Sequence, residues 1–320
     1  MDALTAFLTG PRARGAFLMR SVMSPPWSLR IQDEAPLTVA AVVRGDAWVL
    51  LDDGAGHEMR TGDVALLRGP GHYTVADSPA TAPQVVIHPG QVCTTPAGVS
   101  VEESMSVGVR TWGNTADGET ILLTGTYQNV GEVSRRLTGA LPPLVLLRAG
   151  EWDCPVIPLL AAEIVKDDPG QEAVLDRLLD LLAIAVLRAW FGRDETTAPS
   201  WYRAHADPIV GPVLNLLHNS PQRPWTVGGL AAEVGISRAA LARRFHDLVG
   251  EPPMAFLTGW RLALAADLLL EPDATVSAVA RRVGYASPFT FSTAFKRAYR
   301  VSPQTYRQRN ETELAPGAPA

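Results

Sequence analysis

Two of the three arginines in the segment ISRAALARRFHDLVG, Arg238 and Arg243, offer chemistry that few other side chains can supply. A guanidinium presents a planar fork of donors that fits two adjacent acceptors, such as O6 and N7 of guanine or two phosphate oxygens. Arg238 follows Ser237, which can cap a helix by accepting a backbone N–H, and Arg243 lies five residues further along. We expect Arg243 to face base edges and Arg238 to face phosphate, while Ala239 and Ala242 could contact only thymine methyl groups.

The pattern around these arginines occurs twice in the chain. The first copy is PWTVGGLAAEVGISRAALARRFHDLVG (224–250), and the second is ATVSAVARRVGYASPFTFSTAFKRAYRVSP (274–303). The paired positions are Ala231 with Ala280, Gly235 with Gly284, Ser237 with Ser287 and Phe245 with Phe295. Each copy predicts a supporting helix, a turn at glycine and a second helix capped by serine. This is typical of a helix-turn-helix unit, whose second helix enters the DNA major groove.

The second copy presents different side chains. Phe291 and Phe295 are four residues apart and are expected to face inward. The exposed candidates are Phe289, Thr290 and Thr293 for the groove, and Ser292, Lys296 and Arg297 for phosphate. Because the first turns of this helix lack Arg, Gln and Asn, we expect its base readout to be weaker and mostly apolar.

A long apolar segment, Met254 to Leu270, joins the two copies. It predicts one helix that holds the two units at a fixed separation, so that both second helices could enter successive major grooves. Arg261 on this helix is a candidate contact to the DNA backbone.

The charge distribution is uneven. The whole chain of 320 residues has a net charge of −5, yet residues 221–310 carry 12 Lys or Arg against 6 Asp or Glu. Phosphate binding depends on such local positive charge. A solvated helical surface with excess arginine would give the same balance, so charge alone leaves both interpretations open.

Composition and length predict two globular domains in a cytoplasmic protein. The two cysteines exclude a disulfide scaffold, and no signal peptide is visible. The longest apolar run, Leu178 to Leu187, is interrupted by Asp180 and is too short for a membrane span.

Residues 37–150 are typical of β structure. Short apolar stretches such as LTVAAVVRG, DVALLRG and TILLTGTYQN end in turn residues, which indicates a sandwich or barrel. Helices are predicted from Pro158 to Phe191, with a break near Asp168 to Gly170. The part from Gln171 is apolar on more than one face, which favours either a dimer interface or full burial on the β domain. Residues 192–207 are predicted to be a linker.

The C-terminal segment resembles the DNA-binding domain of the AraC/XylS family of bacterial transcription regulators. The resemblance covers residues 207–309 and is carried by GGLAAEVGISRAALARRFHDLVGEPPMAFLTGWRL and VARRVGYASPFTFSTAFKRAYRVSPQTYR. It implies two helix-turn-helix units on adjacent major grooves of promoter or operator DNA, with RNA polymerase as a partner, activation of transcription and a homodimer. By position, the groove-facing residues would be Arg238, Ala239, Ala242, Arg243, Phe289, Thr290 and Thr293. Polar side chains are common in the family at the positions of Ala242 and Phe289, so these two depart from its pattern.

The N-terminal region is similar to the cupin-type sensor domain of many such regulators, through Gly45, Arg60-Thr61-Gly62-Asp63-Val64 and Gly71-His72. Barrels of this kind enclose small ligands, which predicts a small-molecule effector. The candidate lining residues are Trp48, His72, Tyr73, Trp112 and Tyr127.

Two alternatives concern the barrel. A metal-dependent cupin enzyme fused to a DNA-binding domain would need several neighbouring ligands, but His57, His72 and His88 are isolated and no H-x-H pair exists. We therefore predict no metal, no cofactor and no enzymatic activity. A cysteine-based oxidant sensor would use Cys93 and Cys154, because related cupin-type regulators include such sensors.

The sequence thus predicts an α+β multidomain regulator with an N-terminal cupin-like β-barrel of the jelly-roll type. The predicted boundaries are a sensor domain at 1–154, a helical dimerisation segment and linker at 155–206, an all-α double helix-turn-helix domain at 207–310 and a disordered tail at 311–320.

Overall fold

Apolar stretches closed by turn residues build the N-terminal half, and capped amphipathic segments build the C-terminal half. The computed structural model describes residues 16–128, 131–193 and 198–314. These separate into two units, which we call the barrel unit (16–128 and 138–193) and the helical unit (131–137 and 198–314). The predicted order of a β-rich region followed by helices is confirmed.

The described residues of the barrel unit form two sheets. Among the described residues its strands are β1 (Phe17–Met23), β2 (Ser28–Ile31), β3 (Leu37–Arg44), β4 (Asp46–Leu51), β5 (Gly56–Arg60), β6 (Val64–Arg68), β7 (Tyr73–Ala76), β8 (Val85–Ile87), β9 (Cys93–Thr94), β10 (Ser106–Gly108), β11 (Thr111–Gly113), β12 (Thr120–Tyr127) and β13 (Leu144–Leu147). The larger sheet has the order β10-β11-β1-β12-β3-β6-β13 and the smaller one β5-β4-β7-β2-β8-β9. Most neighbours are antiparallel, while β1–β11 and β2–β8 are parallel.

Strand alternation decides which side chains enter the core. A buried cluster that includes Trp27, Val49, Met59 and Leu122 draws on both sheets. Burying apolar side chains between two sheets supplies the main stabilisation of such a unit.

In the described part of the barrel unit, two α-helices follow the strands, α2 (Val156–Glu163) and α3 (Gln171–Phe191). The predicted break before Gln171 is confirmed, and Gly170 there has a φ of 81° that favours glycine. Helix α3 packs its inner side on the larger sheet: a Cβ at Gly125 of β12 would lie 2.2 Å from Leu179. The full burial of α3 considered above is wrong, because Val174 and Leu181 remain 45% and 49% exposed.

The helical unit has the following helices: α1 (Glu132–Thr138, whose last residue falls in the barrel unit), α4 (Ser200–Arg203), α5 (Val210–Asn219), α6 (Val227–Glu233), α7 (Arg238–Val249), α8 (Pro253–Leu269), α9 (Val276–Arg282), α10 (Pro288–Tyr299) and α11 (Pro303–Leu314). The segment predicted as a linker is partly helical, since α4 and a 3₁₀ turn (Ala204–Ala206) occupy it. Ala204 is buried in the same cluster as Leu214 and Phe245, and this packing explains the difference. No helix in the described parts of the chain has the length and apolar character to cross a membrane.

The tail prediction also differs from the structure. Helix α11 continues to Leu314, four residues into the segment predicted to be disordered, and residues 315–320 lie outside the described residues.

Helix α1 lies between β12 and β13 in the sequence but belongs to the helical unit. The Asp267 carboxylate of α8 caps it, accepting the backbone N–H of Glu132 at 2.6 Å and that of Val133 at 3.3 Å. A Cβ at Gly131 would lie 2.7 Å from both carboxylate oxygens, so a larger residue there would displace the Asp267 side chain from this position. Burial raises the pKa of Asp267 to about 6, against the two N–H donors, which lower it.

This raised pKa predicts a pH-dependent stability. Between the ordinary carboxyl pKa of 3.8 and about 6, the folded unit holds a proton that the unfolded chain releases. The contribution of Asp267 to the free energy of unfolding should therefore fall as pH rises through this window, by about 3 kcal/mol at most, and stay constant above it. Asp267→Asn should remove that part of the slope in denaturant titrations between pH 4 and 7.5. The exposed control Asp273→Asn should keep it, and equal slopes in all three proteins would contradict the assignment.

Candidate nucleic-acid interface and barrel cavity

The first helix-turn-helix unit is fixed by two side-chain caps. Thr226 Oγ1 accepts the Gly229 N–H at 3.0 Å to start α6, and Ser237 Oγ accepts the Ala240 N–H at 3.2 Å to start α7. Gly235 makes the turn between them with a φ of 71°. Leu241 and Phe245 of α7 are fully buried, which turns the opposite side of the helix to solvent.

The second unit has the same two side-chain caps and the same glycine turn. Thr275 Oγ1 caps α9 and Ser287 Oγ caps α10, each by accepting a backbone N–H at 3.2 Å. Gly284 turns the chain with a φ of 83°, while Phe291 and Phe295 are fully buried. The predicted serine caps, glycine turns and inward phenylalanines are confirmed in both copies.

The turns differ in length by one residue. The first runs Gly235-Ile236-Ser237 and the second Gly284-Tyr285-Ala286-Ser287. The backbone bond that closes each turn is conserved between them: the Ile236 N–H donates to Ala231 O at 3.1 Å, and the Tyr285 N–H donates to Ala280 O at 2.9 Å. The extra residue is therefore accommodated after the closing bond.

The exposed side of α7 carries Arg238, Ala239 and Arg243, with Ala242 half-buried beside them. Within the described chain, neither arginine has an ion-pair partner. A rigid helix that presents two such guanidinium groups can donate to base edges or phosphates without first breaking a contact.

The neighbouring Arg244 has a structural role that the sequence did not reveal. Its guanidinium contacts both carboxylate oxygens of Asp207 at 2.6 to 3.1 Å. This contact lowers the pKa of Asp207 to about 2, helped by the N–H groups of Ile209 and Val210 at the start of α5. The pair ties α7 to the beginning of α5, so Arg243 and Arg244 are adjacent but not equivalent.

Helix α10 presents an apolar side chain where α7 presents charge. Phe289 is 82% exposed, and Thr290, Thr293, Lys296 and Arg297 are exposed around it. The hydroxyl of Thr293 donates back to Phe289 O at 3.0 Å, which leaves it an acceptor but occupies its proton. The groove-facing residues Phe289, Thr290 and Thr293 can therefore offer apolar contact but little hydrogen-bond donation to bases, while Lys296 and Arg297 add positive charge.

Arg261 does not take the role predicted for it. Its guanidinium donates to the carbonyl oxygens of Pro221 at 2.7 Å and Arg223 at 2.8 Å, and burial lowers its pKa. It fastens the connector helix α8 to the loop before α6.

The barrel unit encloses a cavity of about 640 Å³ between its sheets. Its wall is mainly apolar, with Met19, Leu29, Val49, Met59 and Leu122 among the lining residues. Polar side chains enter the wall from the β8–β9 region and the β10–β11 hairpin. A space of this size and character suits one small, largely apolar molecule.

Two of the five residues predicted to line the cavity do so in the structure, and three do not. Tyr73 and Trp112 line the cavity, whereas Trp48, His72 and Tyr127 do not. Strand alternation explains two of the differences. Trp48 points away from the side that Val49 lines, and Tyr127 lies on the face of β12 opposite Leu122, where its hydroxyl donates to Asp180 of α3 at 3.4 Å. His72 precedes β7 and lines a separate small pocket beside Asp52 and Arg68.

The cysteines are free and lie in the walls of different pockets, Cys93 in the large cavity and Cys154 in a smaller one near α2. Burial and the nearby Glu102 raise the pKa of the Cys93 thiol to about 11. At pH 7 the thiol is therefore held almost entirely in its protonated form, which disfavours rapid attack on oxidants. Among the described residues, no group of three or more His, Cys, Asp or Glu is arranged to hold a metal ion.

Comparison with known proteins agrees with both units. Residues 2–192 match the family model described as Cupin, and residues 230–309 match the one described as Helix-turn-helix domain. An AraC-like transcription regulator of Streptomyces lividans is 29% identical over 96% of this chain and 98% of its own length. The HTH-type transcriptional regulator AlkR of Acinetobacter baylyi is 28% identical over 97% of this chain and 100% of its own.

Solved structures with similarity include the DNA-binding domain of AdpA in complex with a target DNA. It is 32% identical, covering 35% of this chain and all of that one, with a TM-score of 0.33. ToxT from Vibrio cholerae is 13% identical over 92% of this chain and 96% of that one, with a TM-score of 0.34. From the two family matches and the full-length relatives, the chain belongs to the AraC-type family of DNA-binding transcription regulators with an N-terminal cupin domain.

Proposed function

We propose that the chain is a homodimeric regulator in which a small molecule in the barrel cavity controls the reading of DNA by α7 and α10. The observation that carries the DNA-reading part is the pair of equally capped helices, each with a buried inner side and an exposed outer side. The outer side of α7 reads bases through Arg243 and holds phosphate through Arg238. The outer side of α10 uses Phe289, Thr290 and Thr293 in the groove, with Lys296 and Arg297 on phosphate.

A footprint tests this assignment. Hydroxyl-radical cleavage of bound operator DNA should show, for each protomer of the dimer, two protected patches on one face of the duplex, about one helical turn or 10 base pairs apart. A double substitution, Lys296→Ala with Arg297→Ala, should weaken the patch under α10 and leave the other in place. A single patch, or two patches on opposite faces, would contradict the arrangement.

Dimerisation is proposed through α3. Val174, Leu178, Leu181 and Ala185 recur at intervals of four and three residues, so they form one stripe along the helix. Val174 and Leu181 are exposed, and the other two are partly buried. A second copy of this stripe would cover apolar surface that is otherwise left in water.

Leu181→Glu should therefore disrupt the dimer. Burying an unpaired carboxylate costs well over 1.4 kcal/mol, so the dimer dissociation constant should rise by at least about tenfold. Light scattering after size-exclusion chromatography would show a halved mass at low micromolar concentration. Ala173→Glu places the same charge on an exposed position outside the stripe and should leave the mass unchanged. A monomeric unsubstituted protein would disprove the proposed interface.

The remaining assignments follow from regulation of transcription. We propose that the protein acts in the cytoplasm at promoters, activates transcription together with RNA polymerase and has no catalytic activity of its own. The effector acts only if it binds the DNA-competent and incompetent forms with different affinity. An effector that left operator affinity unchanged at saturation would overturn this control.

A further inference from the structure

One arginine in the cavity wall also contacts the long helix α3. Arg110 lies in the turn between β10 and β11, and the same hairpin contributes Ser106, Thr111 and Trp112 to the wall. The Arg110 guanidinium donates through Nη1 to Gln171 Oε1 at 2.6 Å. Gln171 is the first residue of α3. A single side chain therefore connects the cavity with the start of the helix proposed for dimerisation.

Gln171, the helix residue in this contact, is buried and is held by a second hydrogen bond. Gln171 is only 3% exposed, and its Nε2 donates to the carbonyl oxygen of Glu163 at the end of α2. A buried amide with both ends bonded holds its position, because losing either partner leaves a polar atom unsatisfied. Arg110 itself has a φ of 44°, a backbone conformation that non-glycine residues rarely adopt. Such strained positions persist only where the surroundings hold them and are often found at ligand contacts.

The charge of the wall indicates the chemistry of a ligand. Among the described lining residues, Arg110 and Glu102 are the charged ones. Glu102 is exposed, so water screens it, whereas Arg110 is partly buried beside apolar side chains. A partly buried guanidinium attracts an anion more strongly than an exposed one, because less water competes for it.

We propose that the effector is an amphipathic small molecule, with an apolar body in the cavity and an anionic group bound by Arg110. Binding draws the guanidinium from Gln171 and so alters the first turn of α3. This inference rests on the proposed effector role of the cavity and adds the ligand class and the residue that couples the two sites.

Two fluorescent probes that differ by one anionic group test the ligand class. 8-Anilinonaphthalene-1-sulfonate and N-phenyl-1-naphthylamine share an aromatic body, and only the first carries a sulfonate. In the full-length protein, Arg110→Gln should weaken binding of the sulfonate probe about tenfold and change that of the neutral probe less than about twofold. Arg110→Gly should do the same while relieving the positive φ, which guards against a folding defect. Arg60→Gln, an exposed arginine outside the cavity wall, is the matched control.

A cavity-filling variant shows where the probes bind. Ala40→Trp, on the cavity wall, should abolish binding of both probes while the circular dichroism spectrum is kept. If Ala40→Trp has this effect but Arg110→Gln leaves the ratio of the two affinities unchanged, the anionic ligand class is overturned and the effector role of the cavity stands. If Ala40→Trp has no effect on either probe, the cavity does not take this kind of molecule and both proposals fail.

Hydrogen exchange tests the coupling. Saturation with the sulfonate probe should speed amide exchange at residues 171–175 several-fold in the unsubstituted protein. Gln171→Leu should still bind the probe but lose this response, because the contact that the probe displaces is already gone. An identical response in Gln171→Leu would show that Arg110 does not act through Gln171.

Discussion

Arg243→Ala is expected to weaken binding to the specific operator by about 1–3 kcal/mol and to relax the preference at one base position. Arg243 is exposed on a helix whose inner residues Leu241 and Phe245 are fully buried, so its removal should not disturb α7. The binding free energy lost is that of a bidentate contact between Arg243 and a base. The specific operator places the matching base at that position, and a random duplex does not. Binding to random DNA should fall by much less.

Fluorescence anisotropy with a specific and a scrambled duplex, at the same salt concentration, measures both quantities. Arg243→Lys is the matched variant, because it keeps the charge and loses the planar fork. It should retain the salt dependence of binding and lose most of the specificity. Equal losses on both duplexes for Arg243→Ala would show that Arg243 contacts only phosphate.

Arg244→Ala provides a contrast from the next position. This residue holds Asp207 at the start of α5, and its loss should lower the free energy of unfolding of the helical unit. A specific effect on base preference is not expected from it. The two neighbouring arginines should thus separate into one variant that affects recognition and one that affects stability.

Gly284→Ala is expected to destabilise the helical unit by about 3 kcal/mol or more, and Gly235→Ala by only about 1–2 kcal/mol. Both glycines have a left-handed φ, which costs about 1–2 kcal/mol for alanine. They differ in their surroundings. A Cβ at Gly284 would lie 2.7 Å from the Cα and O atoms of Gln222, whereas nothing lies within 4 Å of one at Gly235.

Because the atoms facing Gly284 belong to the backbone, they cannot move aside as a flexible side chain would. Denaturant titration of the two single variants measures the difference directly, and the duplicated sequence makes each the control for the other. Equal destabilisation of the two variants would mean that the backbone around Gln222 can move away from a Cβ at position 284 at little energetic cost. In that case the second turn would be less constrained than the structure indicates.

The parts of the fold that depend on neighbours in sequence were predictable. Ser237, Gly235 and Thr226 act through N–H groups and φ angles within a few residues, so the first helix-turn-helix unit follows from its sequence. The bounds of α3 were predicted for the same reason. The sequence could not show whether the outer apolar face of α3 packs on the β domain or on a second subunit, because an apolar pattern does not identify the surface that covers it.

Roles that depend on distant partners were not predictable. Arg244 and Arg261 look like free surface arginines, but Asp207 and Pro221 lie 37 and 40 residues away. The prediction of the residues that line the cavity was partly wrong for a different reason. Strand β12 is buried on almost its whole length, so alternation of polar and apolar residues does not reveal which side faces inward. Tyr127 could therefore not be told from a lining residue.

The central claim is that α7 and α10 read DNA unequally, α7 with strong and α10 with weak base preference. Selection of binding sites from random DNA tests this claim most directly. For each protomer, the unsubstituted protein should select two boxes about one helical turn apart, one with strong base preferences and one with weak preferences for A·T pairs. Arg243→Ala should erase preference at one position of the strong box only. Two equally strong boxes, or a strong box that Arg243→Ala leaves intact, would contradict the account.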